Sequence, residues 1–372
     1  MPQNVVLVVL DGWGIGAKNE TNPIYSAHPE YFKYLEENFP MASLQASGIS
    51  VGLPWNETGN SEVGHLTLGA GKVVYQYYPR IVMAIRDGSF YENKVLKDTF
   101  AHAKANGGAV HMAGLLTKAN THASMEHLAA LISMGEKGNV PVYLDLFTDA
   151  IDSPPQTAEE LLSKIPLEKV ATITGRHFAM DRSENWPLVE RAYNAITKGV
   201  GTETKDVAAE LKAVYEKNLT EEFLEPVIVD KSKCLKDGDS IFFFNFREDS
   251  IRELASTFIK KDFGEFPLAG HSNLHVATMT KYHDDFDAPI AFPAEDVVKP
   301  LGKVISDAGK TQLRIAESYK YAHVTYFFNG HVEEPFKNEY RVLIPSQKSA
   351  HPDEHPELMA AAITDRAVEA VN

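Results

Sequence analysis

A single cysteine, Cys234, stands in the 372 residues, which excludes a disulfide framework and a cysteine-based zinc site and suits a reducing compartment. Long apolar runs are missing too. Nothing approaches the roughly 20 residues of a membrane span. The run Val5-Val6-Leu7-Val8-Val9-Leu10 lacks a basic flank and ends on Asp11, so it reads as a buried strand and not as a signal peptide. Positive charge is scarce: 36 Lys and Arg against 51 Asp and Glu leave −15, which repels polyanions and argues against nucleic-acid and anionic-membrane partners. An anionic ligand therefore needs a local cluster of Arg and Lys. No internal repeat or low-complexity tract is present, and a cytoplasmic location is expected.

What is there suffices to fold. Hydrophobic residues make up 44% and charged residues 23%, ordinary for a globular protein, and the length exceeds what one growing core serves, so two domains are expected. The first apolar run leads directly into Asp11-Gly12-Trp13-Gly14, placing a carboxylate at a strand's carboxyl end, where open α/β sheets bind ligands. A polar, glycine-punctuated stretch around Asn60-Ser61-Glu62 puts Ser61 near a helix N-terminus. Residues 109–116, 141–147, 170–174 and 241–246 read as strands, with Met125, Leu128, Ala129 and Ile132, then Ala158, Leu161, Leu162 and Ile165, at helical spacing between them. This alternation predicts right-handed βαβ units around a mostly parallel sheet.

His122 follows the first of these strands, Asp149 and Asp152 the second, Arg176 and Arg182 the third, and Arg247 the fourth, so all are expected at one sheet edge. Proline and acidic residues at 288–300 mark a linker. Beyond it 313–316 and 323–328 read as strands, with Lys320 between them, and the stretch from Pro356 reads as helix. Strands before and after a long excursion suggest one domain inserted into another: an outer domain of 1–74 with 298–372 and an inner one of 75–297.

Asp11 and Ser61 form half of a nucleophile site. A serine hydroxyl needs a base or a metal at neutral pH, and a helix N-terminus favours an attacked phosphate. No G-x-S-x-G elbow surrounds Ser61, which disfavours a Ser-His-Asp hydrolase. The alternative is a turn-capping Asp and a serine N-cap. Three arginines converging on one edge imply a small, multiply charged anion, against the alternative of ordinary surface ion pairs. His351, Asp353, Glu354 and His355 are rejected as a metal site because Pro352 and Pro356 place them on an extended loop. His65 reads as a packing or supporting histidine.

Five motifs now stand in one order: Val8 to Gly14, Gly59 to His65, Thr174-Gly175-Arg176 with Ala179 to Arg182, Phe244 to Arg247, and Lys320 to Thr325. They resemble the signatures of the 2,3-bisphosphoglycerate-independent phosphoglycerate mutases over essentially the whole chain. The resemblance implies an α/β fold, with an alkaline-phosphatase-like domain interrupted by an α/β substrate-binding domain on a mostly parallel sheet. It implies two Mn²⁺ ions, Ser61 as phosphoryl acceptor from 3-phosphoglycerate with return to the 2-hydroxyl, and Asp11 and Ser61 as ligands of one metal. His122, Asp152, Arg176, Arg182, Arg247 and Lys320 would hold the phosphoglycerate. A monomer is expected for the completed protein.

Three positions depart from the family pattern. Ile151 and Ser250 stand where arginines are expected, and Ala119-Asn120-Thr121-His122-Ala123-Ser124 keeps one of two expected histidines. Each missing guanidinium contact is worth on the order of 1.5–3 kcal/mol of anion binding. Family members also continue well past the position of Asn372, and that part supplies the other metal ligands, so the phosphatase-like domain and its metal site are expected to be incomplete here. Alternatives are a phosphatase or phosphomutase of the same superfamily with another substrate, and an inactive anion-binding remnant.

Overall fold

The computed structural model describes residues 4–347, 351 and 354–372. Asp353, of the rejected histidine and carboxylate group, lies outside the described residues. Two compact units emerge, Met1–Gln76 with Glu295–Asn372, and Tyr77–Ala294. No helix among the described residues is long and apolar enough to cross a membrane.

The continuous unit is built on a seven-stranded sheet. Its strands are β1 (Val110–Leu116), β2 (Val142–Thr148), β3 (Val170–Gly175), β4 (Thr202–Glu203), β5 (Val227–Ile228), β6 (Ser240–Phe243) and β7 (His275–Thr278). They lie in the order β4-β5-β3-β2-β1-β6-β7, and every pairing is parallel except β3 with β5. Parallel strands need cover on both faces, which is why β1, Val-His-Met-Ala-Gly-Leu-Leu, is apolar apart from His111 and is buried at every residue. The helix Met125–Gly138 supplies part of that cover through Leu128, Leu131, Ile132 and Gly135; Ala129, expected on the apolar face, is exposed, and Ala130 takes its place.

Toward the amino ends of the strands lies a buried polar staple. His111 on β1 meets Asp145 on β2 at 2.7 Å and Asp239, just ahead of β6, at 3.5 Å. Thr172 on β3 donates to the other Asp145 oxygen at 2.7 Å. Burial opposes charge on His111, but the two carboxylates outweigh it and raise its pKa to about 9.

The discontinuous unit contains the helix Ser61–Ala70 and a parallel pair, β8 (Gln312–Glu317) and β9 (Glu339–Ile344). Two expectations fail here. Val5 to Leu10 is not a buried strand: it takes no strand conformation, and its side chains are exposed, Val5 at 92% and Val8 at 70%. A parallel strand is held by neighbours, and among the described residues none pairs with this run. His323 to Phe328 is not a strand either, because His323–Phe327 is π-helical. Its β-branched and aromatic residues favour strands only where a sheet receives them, and here they lie against the helix Ser61–Ala70. That approach depends on Gly69, where a Cβ would come within 1.9 Å of the Phe328 carbonyl oxygen.

Candidate active site

In the discontinuous unit, Asn60 caps the helix Ser61–Ala70, its side chain accepting the Val63 N–H at 2.8 Å, so Ser61 opens the helix where backbone N–H groups are unpaired. The Ser61 hydroxyl donates to the Asp11 carboxylate. Lys320, on the short helix Ser318–Ala322 that follows β8, donates to the same Asp11 oxygen and lies 2.9 Å from Ser61 Oγ. Partial burial works against charge on Asp11, yet the hydrogen bonds from Lys320 and Ser61 hold its carboxyl below the usual range. His65, one turn along the helix, donates from Nδ1 to the Ser61 carbonyl at 2.7 Å and packs edge-on to His323 at 5.3 Å. It supports the helix start, as its position in sequence suggests.

In the continuous unit the strand-end residues do gather at the carboxyl edge. The chain runs outward from β1 through β2 to β3 and returns to the other side of β1 with β6, so the crevice lies at a reversal of strand order. A cavity of ≈ 390 Å³ opens there, and His122, Asp152, Arg176, Arg182 and Arg247 all line it, together with Ile151.

Asp149 organises the loop after β2. One oxygen accepts the N–H groups of Ala150, Ile151 and Asp152 at 2.9–3.2 Å, while the other accepts Ser153 N–H at 2.8 Å and the Thr117 hydroxyl at 2.7 Å. Burial alone would raise its pKa, and these bonds with Arg176 drive it far below the carboxylate range. Arg176 is thereby pinned, with Nη1 at 2.7 Å from Asp149 and 2.8 Å from Asp152. His122, buried beside it, lies 3.6 Å from Asp152 and from Asp249. Burial lowers its pKa in spite of these carboxylates. Its carbonyl accepts the Phe246 N–H at 2.8 Å, which ties the loop after β1 to the segment carrying Arg247.

The expected positive cluster is therefore neutralised. Arg182 and Arg247 both reach Asp249, at 3.3 and 3.0 Å. Asp249 escaped the sequence reading; its one signal was a carboxylate two residues after an arginine at a strand end. Ile151 is 64% exposed and Ser250 is buried, and both line the cavity.

The family model described as BPG-independent PGAM N-terminus matches residues 81–284. The 2,3-bisphosphoglycerate-independent phosphoglycerate mutase of Moorella thermoacetica is 41% identical, over 98% of this chain and 74% of its own length. That of Syntrophotalea carbinolica is 44% identical, over 99% and 74%. A solved structure of Leishmania mexicana phosphoglycerate mutase at low cobalt concentration superposes with a TM-score of 0.59 at 26% identity, covering 97% of this chain and 71% of the other. Agreement at this level along nearly the whole chain means that the protein belongs to the family of 2,3-bisphosphoglycerate-independent phosphoglycerate mutases.

Proposed function

We propose that this chain carries the nucleophile and the substrate clamp of a glycolytic, cytoplasmic enzyme that interconverts 3- and 2-phosphoglycerate through a phosphoserine at Ser61. The observation that carries the reading is the meeting of Ser61, Asp11 and Lys320 at the start of the helix Ser61–Ala70. Ser61 Oγ attacks phosphorus, the bond from phosphorus to the 3-oxygen breaks, and the proton leaving along the hydrogen bond to Asp11 ends on that 3-oxygen. Transfer back to the 2-oxygen returns the proton to Ser61, so the change is an isomerisation. Lys320 stabilises the charge that builds on the transferring group, and positioning with electrostatics supplies most of such a barrier reduction. In the continuous unit, His122, Asp152, Arg176, Arg182 and Arg247 are the residues to which the family resemblance assigns phosphoglycerate binding.

Mn²⁺ is the metal the family resemblance implies. Among the described residues no three His, Cys, Asp or Glu side chains are grouped to hold an ion, and the two donors Asp11 and Ser61 face the Lys320 ammonium. These residues do not fit a two-ion site. The 372 residues alone are therefore expected to bind 3-phosphoglycerate without turnover, and Mn²⁺-dependent activity without added bisphosphoglycerate is expected from a chain extended to the full length of its relatives. Retained activity in the extended chain after Ser61→Ala would show that Ser61 is not the nucleophile. Calorimetric titration of the 372 residues with 3-phosphoglycerate tests the clamp: Arg247→Ala should weaken binding by about tenfold.

A further inference from the structure

The guanidinium groups in the cavity are not equivalent. Arg176 is 9% exposed and locked between Asp149 and Asp152. Arg182 and Arg247 are 66% and 49% exposed, and both point at a single oxygen, Oδ2 of Asp249. Long exposed side chains leave such pairs at little cost, whereas Asp249 is fixed. Its Oδ1 accepts the Ser250 N–H at 2.8 Å and the Ser250 hydroxyl at 3.2 Å, and Ser250 is 2% exposed. An anchored carboxylate thus holds the two exposed arginines that would otherwise face a ligand in the cavity.

We propose that Asp249 is the built-in counter-anion of this cavity, a positioning and affinity-setting residue that holds Arg182 and Arg247 together until an anionic ligand takes them over. The proposal rests on the reading of the cavity as the phosphoglycerate clamp and adds to it a competitor supplied by the chain itself. Two consequences follow from the geometry. Asp249 keeps the arginines gathered when no ligand is bound, against their mutual repulsion. It also repels any anion that approaches, and the ligand must replace both ion pairs before it gains from them. Ser250 reinforces this arrangement, since its small buried side chain fastens the carboxylate that opposes binding.

The experiment is calorimetric titration of the 372-residue chain with two probes, inorganic phosphate and 3-phosphoglycerate, at low ionic strength. Asp249→Asn keeps an oxygen for the Ser250 N–H and removes the charge. It should bind both probes about three- to thirtyfold more tightly than the parent, the range expected from releasing two exposed ion pairs. Asp249→Glu should stay close to the parent, and Arg182→Ala in the Asn background should abolish the gain. Asp249→Ser serves if the Asn variant melts much earlier than the parent. Unchanged or weaker phosphate binding in the charge-removed variants, or no phosphate binding in any of them, would overturn the proposal. Tighter phosphate binding with no response to 3-phosphoglycerate would uphold Asp249 as the counter-anion and instead refute phosphoglycerate as the ligand.

Discussion

Raising the pH from about 6 to about 9 should loosen the continuous unit through one side chain, His111. The imidazole is fully buried, paired with Asp145 at 2.7 Å and facing Asp239 at 3.5 Å, and its pKa is raised to about 9. In the unfolded chain a histidine titrates near 6.5, so the folded state holds the proton more tightly. Stability from this proton is complete below about pH 6.5 and is lost as the pH rises through about 9. A shift of roughly 2.5 units at about 1.4 kcal/mol per unit is worth roughly 3.5 kcal/mol in full, of which roughly 3 kcal/mol is lost between about pH 6 and 9, a fall in melting temperature of about 6–12 °C for a unit of this size. Trp186 lies in this unit and Trp13 and Trp55 in the other, so Trp186 fluorescence in a Trp13→Phe, Trp55→Phe background reports on the unit of interest. Urea unfolding across this pH range should show the decline, and His111→Gln should flatten it while lowering stability at pH 6. A parent protein equally stable at both ends of the range would refute a protonated His111.

Three further outcomes are expected. His127, buried against Tyr78 and Phe246, has its pKa pushed down to about 3 by burial, so its contribution is complete above about pH 6.5 and is lost as the pH falls toward 3; His127→Leu should lessen the acid sensitivity of the Trp186 transition by roughly 2.5 kcal/mol between about pH 6 and 4. Gly69→Ala should cost about 1–3 kcal/mol through the clash with Phe328, with hydrogen exchange accelerated over 61–70 and 323–328 and unaltered in β1 to β3. The exposed run Val5 to Leu10 should bind a hydrophobic dye and promote association, and Val6→Lys with Val8→Lys should reduce both, as read by dye fluorescence and light scattering.

Much of the continuous unit was legible in the chain because its signals are local. The runs at 110–116, 142–148, 170–175 and 240–243 are short, apolar and bounded by polar turns, and buried parallel strands are written that way. Once those strands are parallel, the residues after them must share an edge, which is why the chain order alone groups His122, Asp152, Arg176, Arg182 and Arg247. Ser61 at a helix start was likewise local, since it depends on Asn60 next to it.

What lay beyond that reading depends on partners distant in sequence. Val5 to Leu10 has the composition of a strand, but a strand exists only where another offers its hydrogen bonds, and none pairs with it among the described residues. Residues 323–327 have strand propensity and are π-helical beside the helix Ser61–Ala70. Sequence alone determined the placement of Ser61 at a helix start, the parallel sheet and the edge at which charged side chains collect. Only tertiary structure decided that Lys320 reaches Asp11 across 309 positions, that His111 is flanked by two carboxylates, and that Arg182 and Arg247 rest on Asp249, because ion pairing depends on distances in space that no periodicity along the chain records.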